Sequence, residues 1–158
     1  MPVTATKHKK THWVCAEPQN TALTQSEFEA LTWVQVKNCR SEGDFGITTQ
    51  ITRESTFDND VDLTFKGSSA GTDFSLEALT LVSDPGQEIL RTFGKAANLN
   101  AMAVKIVSTD ANSGEISTSR YSRGKVHSPI ALGGTPNDGE AESFGIALEQ
   151  EPIVVKAA

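Results

Sequence analysis

Gly46–Gly67, GITTQITRESTFDNDVDLTFKG, is the stretch whose reading decides the class of fold. Ile47, Thr49 and Ile51 alternate with Thr48, Gln50 and Thr52, the period of two expected of a half-buried strand. Beyond an acidic, turn-forming tip, Asp58-Asn59-Asp60, the return arm sets Val61, Leu63 and Phe65 against Asp62, Thr64 and Lys66. Gly67-Ser68-Ser69-Ala70-Gly71 then leads the chain out. A hairpin this long, with so few apolar residues at its tip, is a poor core element. It reads as a reach toward a partner.

Strand patterning continues on both sides. Thr11–Ala16 reads as a short strand and Glu17-Pro18-Gln19-Asn20 as a turn. Thr24-Gln25-Ser26-Glu27 has capping-box spacing, and Phe28 and Leu31 give one short helical turn an apolar face. Leu31 to Arg40 alternates as a single strand, and Ser41–Gly46 is a glycine-punctuated loop. After the hairpin, Asp73–Val82 is a strand with Phe74, Leu76 and Ala78 on one side. Asp84 fits a helix N-cap, Pro85 the first helical position and Gln87 the third. Ile89, Leu90 and Phe93 form that helix's buried stripe, and Gly94 its stop. Ala101–Thr109 is strand-like, Asp110–Gly114 a turn, and Ile116–Val126 a polar, basic strand, with His127 ending it at the surface. Glu140–Gln150 puts Phe144, Ile146 and Leu148 on a core face. Ile153-Val154-Val155 reads either as a separate terminal strand or as an arm.

The absence of any strand–helix–strand alternation predicts a mainly all-β fold. The expectation is an antiparallel β-sandwich or barrel of about seven or eight strands, with one short flanking helix and a protruding hairpin. Residues 1–10 are expected as a flexible basic arm, 11–151 as the sandwich domain, and 152–158 as a C-terminal arm. The hairpin loop is placed at about 53–71 and the helix at about 85–93.

A chain of 158 residues buries roughly 68–70% of its unfolded surface and needs no disulfide or metal to fold. No run of about 18 apolar residues offers a membrane span, and MPVTATKHKK lacks the apolar segment of a secretory signal. Fourteen basic against twenty acidic residues give a net charge of −6. Without Lys7, Lys9 and Lys10, residues 11–158 carry eleven against twenty, or −9. Such a body does not grip duplex DNA, which requires neutralised phosphates, although it can let DNA pass. The basic arm reads either as a solvated terminus or as a contact for phosphate or an acidic neighbour. Cys15 and Cys39 have no zinc spacing; two half-buried thiols and a single bridge both remain open.

Little in the chain carries catalysis. His8, His12 and His127 are scattered, and no H-E-x-x-H or G-x-S-x-G occurs, so no enzyme and no cofactor are expected. Asp58-Asn59-Asp60-Val61-Asp62 imitates the start of a calcium loop. Leu63 then stands where the sharp-turn glycine belongs and Ser69 where the bidentate glutamate belongs, so no metal is assigned. Gly133-Gly134 lacks the lysine-serine/threonine ending of a phosphate-cradling loop.

The order of these pieces carries a resemblance that no single motif does. Trp13-Val14, Gly43-Asp44-Phe45-Gly46, the acidic hairpin, Phe74–Val82, Asp84–Leu90 and Ala103–Val107 follow one another in sequence. The most specific part is Ser83-x-Pro85-Gly86-Gln87-x-x-Leu90, preceded by Ser69-Ala70-Gly71-Thr72-Asp73-Phe74-Ser75-Leu76-Glu77. Over about residues 12–150 the chain resembles the major tail tube proteins of long-tailed, non-contractile (lambda-like) bacteriophages. The ring-forming tube proteins of contractile tails and secretion systems are the nearest alternative. A monomeric adhesion or calcium-binding sandwich is the alternative from a different class.

The resemblance implies a virion structural protein, assembled in the host cytoplasm. It implies hexameric rings stacked into a hollow tube through which DNA is ejected without specific binding. Its implied partners are other copies, a tape measure protein, a tail terminator and distal tail or baseplate proteins, with no membrane. It further implies that the hairpin bridges subunits, which carries over to Arg53, Glu54, Phe57, Asp58, Asp60, Asp62, Phe65 and Lys66. Lys7, Lys9 and Lys10 become candidates for contacts between rings. Six copies at −6 each would give −36 per ring, a lumen that repels phosphate. Thr48, Gln50, Thr52 and Glu149 are the lumen candidates; ordinary solvent is the other reading of each.

Overall fold

A computed structural model of the chain describes residues 5–110 and 115–156. Residues 111–114 of the expected turn, and the outermost residues of both expected arms, lie outside that description. Ten strands and two helices follow one another: β1 (Ala5–Pro18), α1 (Gln25–Glu29), β2 (Val34–Val36), β3 (Cys39–Glu42), β4 (Ile47–Glu54), β5 (Leu63–Gly71), β6 (Asp73–Leu79), α2 (Pro85–Gly94), β7 (Met102–Asp110), β8 (Ile116–Ala131), β9 (Ala141–Leu148) and β10 (Ile153–Lys156). The mainly antiparallel all-β class is as expected, with more strands than the seven or eight anticipated.

Eight strands form one sheet in the order β2-β1-β7-β8-β9-β6-β3, with β10 also paired to β8; β4 and β5 form a separate two-stranded sheet. The large sheet is rolled onto itself. His12 of β1 stacks on Phe74 of β6, ring centroids 6.4 Å apart, although three strands separate them in the order. The main core fills the roll: Val14, Val36, Phe74, Leu76, Met102, Val104, Ile106, Val126, Phe144, Ile146 and Leu148, closed by Leu90 and Phe93 of α2. These positions alternate along β6, β7 and β9 because successive side chains of a strand point to opposite faces. A smaller cluster lies on the outer face, where Cys15, Ala103 and Tyr121 pack under Leu23 and Phe28 beside α1.

The stretch expected to be one strand from Leu31 to Arg40 is instead two, at opposite edges of the sheet. Between β2 and β3 the chain crosses at Lys37-Asn38, and Asn38 takes a left-handed φ of 62°, a conformation asparagine tolerates better than most residues. Two residues thus join the first and last strands of the roll.

Helix α2 locks this crossing. The Asp84 side chain accepts from Gln87 N at 3.0 Å as N-cap and also from Lys37 N at 3.2 Å. Gln87 is buried and donates through Nε2 to the carbonyls of Lys37 (2.8 Å) and Leu79 (2.9 Å). Its Oε1 accepts from Leu81 N at 2.9 Å and from Arg91 at 3.0 Å. Gly86 lets the helix start press on β2: a Cβ there would collide with the Gln35 carbonyl.

Two further expectations change and one is decided. Residues 5–10, read as an arm, belong to β1, with Ala5 opposite Asp110 and Lys10 opposite Ser108 of β7 across an irregularity. Of the two readings of Ile153–Val155, strand or arm, the strand holds: residues 153–156 pair with β8, and Ile153 and Val155 pack on the outer cluster. His127 does not end a strand, since β8 runs on to Ala131.

Candidate assembly surface

The hairpin runs from Ile47, where the alternation placed its first arm, and stands clear of the roll. Strands β4 and β5 pair from Ile47↔Gly71 to Glu54↔Leu63, with a bulge opposite Gln50. Gly71 sits against the end of β9, where a Cβ would collide with the Leu148 carbonyl. Thr72 receives Leu148 N on its carbonyl at 3.2 Å. From Gln50 to Ala70 every residue is exposed. The half-buried strand expected from Ile47, Thr49 and Ile51 is therefore half-buried only at Ile47 and Thr49.

The cross-strand register sorts the ribbon's faces. Thr48, Thr52 and Glu54 share one with Ala70, Phe65 and Leu63; Ile51 and Arg53 share the other with Lys66 and Thr64. Both carry exposed apolar side chains: Ile51 at 50% on one, Leu63 at 42% and Phe65 at 53% on the other. The tip adds Val61 at 78% and Phe57, fully out in solvent. Asp62 accepts from Ser55 Oγ at 2.7 Å, which fastens the loop neck. Among the described residues no three His, Cys, Asp or Glu side chains converge to hold a metal ion.

The lumen candidates divide between the two sheets. Thr48, Gln50 and Thr52 lie on the ribbon. Glu149 follows β9 and pairs with Arg123 at 2.9 Å and Lys125 at 3.3 Å. The inter-ring candidates Lys7, Lys9 and Lys10 all fall on β1, and Lys10 bonds to Glu42 Oε1 at 2.6 Å.

At the hairpin's base, on the side of the roll that α2 leaves open, lies a cleft of about 730 Å³. Lys10, His12, Arg40, Glu42, Asp44, Phe45, Ile106 and Arg120 are among its lining residues. Strands β1 and β3 face each other across it without main-chain pairing. Glu42 is the bridge: Oε1 meets Lys10 and Oε2 meets His12 Nε2 at 2.5 Å. Burial alone would raise the Glu42 pKa, but the hydrogen bonds and charges of His12 and Lys10 outweigh it and hold the carboxyl at about 2. Cys39, also lining the cleft, is pushed up to about 12 by burial and by Asp84 and Glu42, an unreactive thiol. Both cysteines are free.

This clasp has a pH signature. A folded-state pKa below the unfolded value contributes stability that is complete above about pH 4.5 and is lost as pH falls toward 2. Discounted for solvent screening at the cleft mouth, the contribution is of order 1–2 kcal/mol. The expected result is that Glu42→Gln lowers the urea midpoint at pH 7 and flattens the midpoint-versus-pH curve below pH 4.5. An unchanged curve would remove the clasp from the account.

Comparison with solved structures places this geometry among known proteins. A chain from the cryo-EM structure of the anti-feeding prophage cap (AFP tube terminating cap) aligns at a TM-score of 0.70 and 10% identity, over 99% of this chain and 94% of its own. A chain from the anti-feeding prophage baseplate, 6-fold symmetrised, aligns at 0.65 and 10%, over 99% and 98%. The fold is shared with both. No family profile matches the sequence, and no curated protein matches it.

Sequence reasoning missed Glu42, His12 and Arg120, which stand about 30 to 110 positions apart. The available signal was parity: His12 and Arg120 pair with Ile106 of β7 and share its core-facing side.

On the outer face, Lys105 Nζ lies 5.0 Å from the Trp13 ring centroid and 5.2 Å from that of Trp33. Burial lowers its pKa, and the two ring faces offset part of the desolvation.

Proposed function

We propose that this chain is a structural protein of a phage-like tail, a subunit that assembles as rings stacked into a hollow tube. The observation that carries the reading is the ribbon β4–β5, which has no core beneath it. A two-stranded hairpin alone in water is marginal at best, and this one exposes Ile51, Phe57, Val61, Leu63 and Phe65. Both of its outer edges have unpaired main-chain groups, which invite pairing with another chain. A neighbouring subunit satisfies both needs, and the residues from Arg53 to Lys66 are the contact.

The shared fold with anti-feeding prophage cap and baseplate chains supports a tail component. Since neither is a lambda-like tail, the reading extends to tube proteins of contractile and non-contractile systems alike. Hexameric rings, a lumen lined by Thr48, Gln50, Thr52 or Glu149, and passage of DNA belong to the proposal. So do a virion location and contacts with measuring, terminating and baseplate proteins. The net charge of −6 per copy suits a conduit that does not hold phosphate.

Negative-stain microscopy with light scattering tests it on the purified chain. Rings or hollow tubes are expected. A stable monomer at high concentration, stabilised by calcium, would overturn it in favour of a calcium-binding sandwich.

A further inference from the structure

The cleft at the base of the hairpin holds a cation without a counter-ion. Lys10 is bonded to Glu42, and Arg40 to Glu77. Arg120 has no hydrogen-bond or ion-pair partner for its guanidinium among the described residues. It is half-buried, across the ladder from Ile106, and shares the cleft with Phe45. A guanidinium held partly out of water without a partner calls for a carboxylate. With Lys10 and Arg40 already paired, Arg120 is the cation of the lining left for an incoming carboxylate.

The hairpin tip offers the complement. Phe57 is fully exposed, and Asp58, Asp60 and Asp62 follow within five residues. One copy does not use its own cleft for this. Glu42–Phe45 line the cleft and the hairpin starts at Ile47, so the tip lies a strand length from its own cleft. Eight residues of β4 at about 3.3 Å each put that length at about 25 Å.

We propose that the hairpin tip of one copy docks in the β1–β3 cleft of a second copy, with its aspartates on Arg120 and Phe57 against Phe45. Donor and acceptor are different surfaces of the same chain, so the contact is head-to-tail and propagates into closed rings or open stacks. The inference rests on the tube-subunit reading and names the surface the hairpin meets.

The test uses the full chain with p-benzoylphenylalanine in place of Phe57, illuminated under assembly conditions and mapped by mass spectrometry. Cross-links are expected in peptides holding residues 39–45, Ile106 or Arg120. In parallel, Arg120→Glu is expected to raise the concentration needed for assembly at least ten-fold. Asp58→Lys with Asp60→Lys, mixed in on the same background, restores it. Tubes that form normally from Arg120→Glu while the cross-links map elsewhere overturn the docking and leave the tube reading intact. A native chain that never assembles overturns both. If Arg120→Glu does not fold, the cross-link map alone decides.

Discussion

Deleting Ser55–Ser68 leaves a folded monomer that no longer polymerises. The deletion removes the acidic tip and most of β5, yet Thr49 and Ser69 remain to close the stub; their hydroxyls already bond at 2.7 Å. Gln50–Glu54 then becomes a five-residue connection, within the ordinary range for hairpin loops. The deleted residues are all exposed and none belongs to either core cluster. The expected thermal midpoint therefore stays within a few degrees of the parent, on the order of what a change under about 1 kcal/mol produces. Assembly, by contrast, falls below detection in light scattering. Normal tubes from the deletion variant would mean that the hairpin is not the reach between subunits.

The second large effect concerns Gln87. Its side chain serves the carbonyls of Lys37 and Leu79, Leu81 N and the Arg91 guanidinium, all from a buried position. Gln87→Leu keeps most of the volume and removes every bond, stranding buried or part-buried main-chain groups. At about 1–3 kcal/mol for each unsatisfied group, the expected loss is about 3 kcal/mol or more in urea unfolding. Arg91, which also bonds to Glu142 and Glu88, retains partners. A loss below about 1 kcal/mol would show that water replaces the amide and that α2 does not lock the crossing.

Much of the fold was legible where the controlling interactions are local. Asp84, Pro85 and Gln87 sit within one turn, so the start of α2 is written in consecutive residues. Phe74, Leu76 and Ala78 alternate because β6 is covered on one face. The break at Lys37-Asn38 was not legible, since Trp33, Gln35, Lys37 and Cys39 alternate with Val34, Val36 and Asn38 straight through it and only closure of the roll divides them. Alternation likewise identified β4 as a strand without telling what covers it, so Ile51 passed for a half-buried residue. The extension of β1 to Ala5 rests on backbone partners at Ala5 and Lys10 across an irregularity, to which side-chain patterning is blind. The cleft escaped notice because Lys10, Glu42 and Arg120 meet only when the sheet rolls up.

The unpaired meeting of β1 and β3 gives the wall an anisotropy. Elsewhere around the roll, pulling strands apart breaks a ladder of main-chain bonds; along this line it breaks one carboxylate's grip on a lysine and a histidine. Along this seam, then, local opening breaks fewer main-chain hydrogen bonds than elsewhere in the wall. In the proposed tube, bending would be taken up by parting at the seam while β7, β8 and β9 hold their ladders. Flexure would thereby be confined to one identifiable line in each copy.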